Sequence, residues 1–257
     1  MSDPIVHPVS EPIPQPAPGL SQIQRVIYTF TAPSKTFNDI KAGNKSWWMP
    51  FLISLVVGYL FFAAVYTKIG MRQVAENSIH MNAKQEEQMS NLSPEQRETQ
   101  MKIITYSTEG IFLAGPVLLL IIVAVTSLVL MGTINFIFGG KATFGSIYCM
   151  SMYAGLIMSI QALLGIIVVF ASSAPESFNI SNFAPTNIAA FLSPLDTNKA
   201  LYALLKSLDA ITIWNLALTS IGLATVAGVK KASGYISVFG WWAIIVLIGV
   251  GFAVAMH

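Results

Sequence analysis

The residues able to do chemistry are few, and they are scattered. His7, His80 and His257 are the only histidines and Cys149, within SIYCMSMY, the only cysteine, so no spacing gathers metal ligands. His7 sits in a proline-rich start, His80 in a polar stretch, and His257 is the last residue, which leaves a hydrolase without a base. Cys149 cannot form an intrachain disulfide and reads as a small packing residue, with Met150, Met152 and Met158 as apolar filler around it. No glycine-rich phosphate loop or basic aromatic patch occurs. No catalytic, metal or cofactor-binding residue is therefore expected, nor a nucleic-acid partner, and the chain does not read as an enzyme.

Three amides in apolar surroundings remain: Asn135, Gln161 and Asn215. A buried carboxylate or histidine at that depth would mark a transport pathway, and its absence from the apolar runs argues against proton- or ion-coupled transport. Gln161 is expected to make one interhelical hydrogen bond. If the three amides lined a polar path, they would have to converge on one cavity.

The elements that carry them follow from composition. Hydrophobic residues make up 54% of the 257 and charged residues only 10%, and the mean hydropathy is +0.64. The apolar residues gather into five runs, about 47–67, 110–138, 146–171, 210–229 and 235–256, none holding Asp, Glu, Lys or Arg. Roughly 20 such residues cross a ~30 Å hydrocarbon core. A large soluble domain could hide one such helix, not five. The fold class is thus all-α, a polytopic membrane protein with a bundle of five transmembrane helices, a polar helical hairpin and interfacial helices.

Within the runs, small residues recur every fourth position: Ser151, Gly155 and Ser159 in span three, Ser220, Ala224 and Gly228 in span four, with Gly249 and Ala253 in span five. Such rows let helix backbones approach closely, here first within the bundle and otherwise against a second subunit. Trp47, Trp48, Trp214, Tyr235, Trp241 and Trp242 near run ends fit an interfacial aromatic belt. Asp209 occupies an N-cap position at the start of span four.

Outside the spans, residues 1–20 carry six prolines and read as a disordered tail without the features of a signal peptide. Residues 21–45 hold Ile23, Val26, Ile27 and Phe30 at helical spacing, then Pro33, then Phe37 and Ile40, an amphipathic segment expected at the membrane surface before the domain at 46–257, the same periodicity equally fitting a solvent-exposed helix that docks a partner. Between spans one and two, Ser93 and Gln96 in SPEQ form a capping-box pattern, predicting a helical hairpin with mixed charge. Leu201, Leu204, Leu205 and Leu208 fall on one helical face of a segment expected in the interface. Counting lysines and arginines gives no topology. The lysines before span one and the pair Lys230–Lys231 in a short loop favour a cytoplasmic N-terminus.

APSKTFNDI followed by SWWMPFLISLVV, then KATFGSIYCMSMYAGLIMSI, then LDAITIWNLALTSIGLATVAGVKKASGY, resemble the Yip domain family, over roughly residues 26–256 and in the style of its bacterial members. The resemblance implies a five-span helical domain with a cytosolic N-terminus, an exoplasmic C-terminus and no catalytic residues. Eukaryotic members bind prenylated Rab GTPases and each other. The acidic Asp-Leu-Tyr-Gly-Pro motif they carry before the membrane domain is missing here, which counts against GTPase binding and points to a bacterial cytoplasmic membrane.

The expected function is a noncatalytic membrane adaptor or organiser, contacting membrane lipids and other membrane proteins or copies of itself. The alternative is a permease-like or lipid-handling protein. Deleting residues 1–20 is expected to leave insertion and folding intact, because a proline-rich tail buries little apolar surface. Membrane fractionation checks this, and loss of accumulation would contradict it.

Overall fold

The computed structural model describes residues 19–171 and 174–255. Nearly all of the expected tail, together with His7 and His257, lies outside the described residues. Those described form helices and turns without a strand.

Two short helices, α1 (Gln22–Thr31) and α2 (Pro33–Lys41), precede span one, α3 (Trp48–Lys68). The polar insert contains α4 (Met71–His80), α5 (Ala83–Ser90) and α6 (Pro94–Leu113), the last running directly into span two. Span two is α7 (Gly115–Gly132) and a π-helical turn (Thr133–Ile137); span three is α8 (Phe144–Gly155) and α9 (Ile157–Ala171). Three 3-10 turns and α10 (Lys199–Ser207) lead to span four, α11 (Ala210–Ala227), and span five, α12 (Lys231–Ala255). These five helices, 18 to 28 residues long, are long and apolar enough to cross a membrane. At a rise of 1.5 Å per residue they reach roughly 27 to 42 Å, against a core of about 30 Å.

Local chemistry sets the boundaries. Ser93 and Gln96 cap each other reciprocally at the start of α6, and Thr143 and Ser146 do the same for α8, which starts span three at Phe144. The polar helix from Pro94 continues through Leu113, and span two begins at Gly115 because Pro116 lacks the N–H that would carry the helix across. Gly228 closes α11 in the left-handed conformation (φ 70°), which a side chain would strain.

The core forms around α11, which packs against α12, α8, α2 and α9. Small side chains make this possible. Ser220 and Ala224 are buried where α12 crosses, and a Cβ on Gly234 would run into the Ser220 carbonyl. On another side, a Cβ on Gly222 would stand 2.6 Å from Met150 Cγ and 3.1 Å from the Phe37 ring. A second apolar cluster joins Phe61 and Val65 of α3, Val169 of α9, and Phe178 and Phe183 of the 3-10 segment.

The segment expected at the membrane surface folds into a helical hairpin docked on the bundle. Phe37 and Ile40 are fully buried against spans three and four. The amphipathicity of α1 is inverted relative to a soluble helix: Arg25 and Thr29 face the protein, while Ile23 and Ile27 face outward. Phe30 meets the edge of Trp214 at 6.5 Å. Arg25 is enclosed completely. Its guanidinium donates to the Asn44 carbonyl (2.7 Å), the Ser46 carbonyl (3.0 Å) and Asn44 Oδ1 (3.2 Å), pairs with Asp39 (Nε to Oδ2, 3.2 Å), and lies 4.5 Å from the Tyr153 ring centre.

Removing Arg25 leaves the Asp39 carboxylate without a counter-charge, held only by the neutral donors Leu20 N–H and Asn44 Nδ2. Arg25→Leu is expected to destabilise the protein by about 3–5 kcal/mol, and the double variant Arg25→Met/Asp39→Leu by less. Thermal unfolding in detergent checks the order of the two variants.

Candidate functional site: a lateral cleft between spans one and two

Span one leans on α9 and span two leans on α8, so the two are held by different neighbours. Near the end of the bundle that bears the polar hairpin, span one meets the last residues of α6, just before span two begins. There Phe61 and Phe62 contact Phe112 (ring centres 6.2 and 5.1 Å apart), and the Tyr59 hydroxyl donates to the Leu113 carbonyl at 3.1 Å. Beyond these contacts the helices part, and a cavity of about 360 Å³ opens. Ser54 and Gly58 line it from α3, Leu119 and Thr126 from α7, Ser151, Gly155 and Ser159 from span three, and Asn215 and Thr219 from span four. A second cavity of about 560 Å³ shares Ser54, Gly58 and Leu119 and extends towards the hairpin between Leu55, Ile111 and Pro116. The two form one lateral cleft.

The two rows of small residues thus serve different ends. Ser220 and Ala224 are taken up in the crossing with α12, and Gly228 terminates α11. Ser151, Gly155 and Ser159 face the cleft, where a Cβ added to Gly155 or Gly58 would meet nothing within 4 Å. The Ser151 hydroxyl is buried without a hydrogen-bond partner among the described residues. Asn215 Oδ1 accepts from Thr219 Oγ1 at 3.4 Å, and its amide nitrogen remains available to an occupant of the cleft.

The three intramembrane amides do not converge. Asn135 exchanges two hydrogen bonds with the backbone of Ala142, at 2.9 and 3.1 Å, and so shapes the turn between spans two and three. Gln161 reaches from span three to Asp209 at 3.4 Å, an interhelical contact of the kind its position suggests. Asn215 alone of the three lines the cleft.

Asp209 does more than cap. Besides the Thr212 N–H (2.9 Å), its carboxylate accepts from the Thr186 hydroxyl, from Asn187 Nδ2 (3.3 Å) and from Gln161, pinning the 3-10 segment onto spans three and four. Burial raises the cost of its charge, but the donors from Thr186, Thr212 and Asn187 outweigh that and hold its pKa below the ordinary aspartate value. The N-cap position is legible in sequence; Thr186 and Asn187, more than 20 residues upstream, carry no local signal. Arg25 is likewise unmarked, since the polar helical face it shares with Thr29 reads in sequence as a solvated one. Among the described residues no cluster of three His, Cys, Asp or Glu side chains could hold a metal ion.

Five helices long and apolar enough to cross a membrane, joined by a polar hairpin, define a polytopic helical membrane protein. Within that class the chain belongs to the Yip1 domain family, which it matches over residues 27–253. It is similar to membrane protein YknW of Bacillus subtilis (strain 168), 24% identical over 218 residues that cover 84% of each chain. No solved structure matches it.

Because the folded pKa of Asp209 is depressed, its contribution to stability is complete above the unfolded value of about 3.9 and is lost as pH falls through the folded value. Unfolding midpoints measured from about pH 6 to about pH 3 should therefore fall for the native protein. The Asp209→Asn variant should start lower and lose less across the same range.

Proposed function

We propose that the protein is a noncatalytic membrane adaptor that receives a transmembrane helix of another membrane protein in the cleft between spans one and two. The observation that carries this reading is the lining of the cleft at mid-span. Gly58 and Gly155 allow close backbone approach, and the Asn215 amide presents hydrogen-bonding capacity that a lipid tail cannot satisfy. A helix bearing small and hydroxyl or amide side chains satisfies both demands. Adaptor action needs no reactive centre, in keeping with a site built from hydroxyls, amides and apolar surface. The setting is a bacterial cytoplasmic membrane with the N-terminus in the cytoplasm, supported by the bacterial relative and by the unpaired lysines grouped at the N-terminal end of the bundle.

A lipid-handling role is the second reading. It is favoured by the larger cavity, whose walls of Leu55, Phe61, Ile111, Phe112 and Pro116 suit an acyl chain.

Photo-crosslinking amino acids at Val57 and Leu119, which line the cleft, test the two against Ile245, which is exposed on span five. The adaptor reading expects a discrete protein adduct from Val57 and Leu119 in native membranes, weakened by Asn215→Leu, and none from Ile245. Lipid adducts alone from the cleft positions would favour lipid handling. The same protein adduct from all three positions would contradict a cleft-specific partner.

A further inference from the structure

The two ends of the bundle differ sharply in charge. At the hairpin end, cations are mixed with carboxylates: Arg72 pairs with Glu98 (2.8 Å) and Glu76 (3.0 Å), and His80 with Glu86 (2.8 Å). At the other end, Asp39 is the sole acid among the described residues, and Arg25 already engages it. Lys35, Lys41, Lys45, Lys141, Lys230 and Lys231 all belong to this end, and none has an ion-pair partner among the described residues.

The backbone brings four of these lysines to one feature, the left-handed turn at Gly228. Lys41, the last residue of α2, brings Nζ to 3.8 Å from where a Gly228 Cβ would stand. The Lys141 backbone N–H donates to the Ala227 carbonyl at 3.1 Å, fixing the loop between spans two and three beside the same turn. Lys230 follows in the turn itself and Lys231 opens α12, whose N-terminal partial charge adds to theirs. The four side chains come from three separate parts of the chain and are all exposed.

Large apolar side chains border this cluster. Phe136 is 90% exposed and Ile137 71%, both in the π-helical turn that leads to Lys141, and Ile236 is 61% exposed one turn into α12. The π-helical turn packs on α11 and α12, and Trp241 Nε1 holds it there by donating to Thr133 Oγ1 at 2.9 Å. A cationic cluster adjoined by exposed Phe and Ile on the same elements matches a phosphate joined to hydrocarbon chains. A soluble anion or nucleic acid would gain nothing from that rim.

We infer that Lys41, Lys141, Lys230 and Lys231 form a binding site for the phosphate headgroup of an anionic membrane lipid, with Phe136, Ile137 and Ile236 against its chains. Unpaired lysines near a membrane surface attract anionic lipid. Here their convergence on one turn makes the attraction local. This site shares no residue with the cleft, so either can fail without the other.

Native mass spectrometry of the detergent-purified protein tests it, with phosphatidylglycerol and phosphatidylcholine of matched chains as probes. The protein should retain phosphatidylglycerol several-fold better than phosphatidylcholine. The exposed triple variant Lys41→Gln/Lys141→Gln/Lys230→Gln should lose that preference, whereas the triple variant to Arg and the hairpin-end variant Lys84→Gln/Lys102→Gln should keep it. Circular dichroism verifies that each variant is folded, and the charge-retaining Arg variant separates loss of charge from loss of structure. Equal retention of the two lipids, an unchanged preference in the Gln triple, or an equal loss in the hairpin-end variant would overturn the inference. Displacement of the bound lipid by millimolar inorganic phosphate would overturn the assignment to a lipid and make this a soluble-anion site.

Discussion

The close approach of neighbours to span four is the constraint on which the rest depends. Along α11, Ser220, Gly222 and Ala224 carry so little side chain that α12 can cross on one side while Met150 and Phe37 settle on another. In a bilayer there is little hydrophobic gain in bringing two apolar helices together, so such packing decides which helices touch. Spans three and five and the N-terminal hairpin gather at α11; span one is attached through α9 and span two through α8. The cleft is what this arrangement leaves over. Two helices bound mainly to different halves of span three leave a cavity between them beyond the aromatic contacts at Phe112.

The N-terminal hairpin obeys the same economy of polar groups. Where lipid surrounds a helix, polar side chains must find partners inside the protein, and apolar ones can face out. Arg25 therefore turns inward to Asp39, Asn44, Ser46 and Tyr153 while Ile23 and Ile27 turn outward. Asp209 is satisfied in the same way by neutral donors from three parts of the chain. Both charges act as clasps: one fixes α1 and α2 to the bundle, the other fixes the irregular segment before α10.

Much of this architecture is legible in sequence, because a bilayer leaves a strong compositional mark. The five charge-free runs, the caps at Ser93 and Asp209 and the polar hairpin all depend on local spacing, and local spacing is what a sequence displays. The rows at Ser151–Gly155–Ser159 and Ser220–Ala224–Gly228 show where local spacing stops being informative. Both permit a backbone to approach, but only the second finds one, since the arrival of a neighbour is decided by residues such as Gly234 elsewhere in the chain. The same holds for Arg25 and Asp39, 14 residues apart, and for Thr186 and Asp209. The family resemblance gives span number and class, and the cleft comes from tertiary packing alone.

The most direct test of this account is a cryo-electron microscopy structure of the protein in lipid nanodiscs, read at the spacing of spans one and two. The account predicts that α3 and α7 stand apart from Ser54 to Gly58 and from Leu119 to Thr126, while α11 remains in contact with α2, α8 and α12. Spans one and two packed directly against each other along that length, or α11 displaced from the centre, would contradict it.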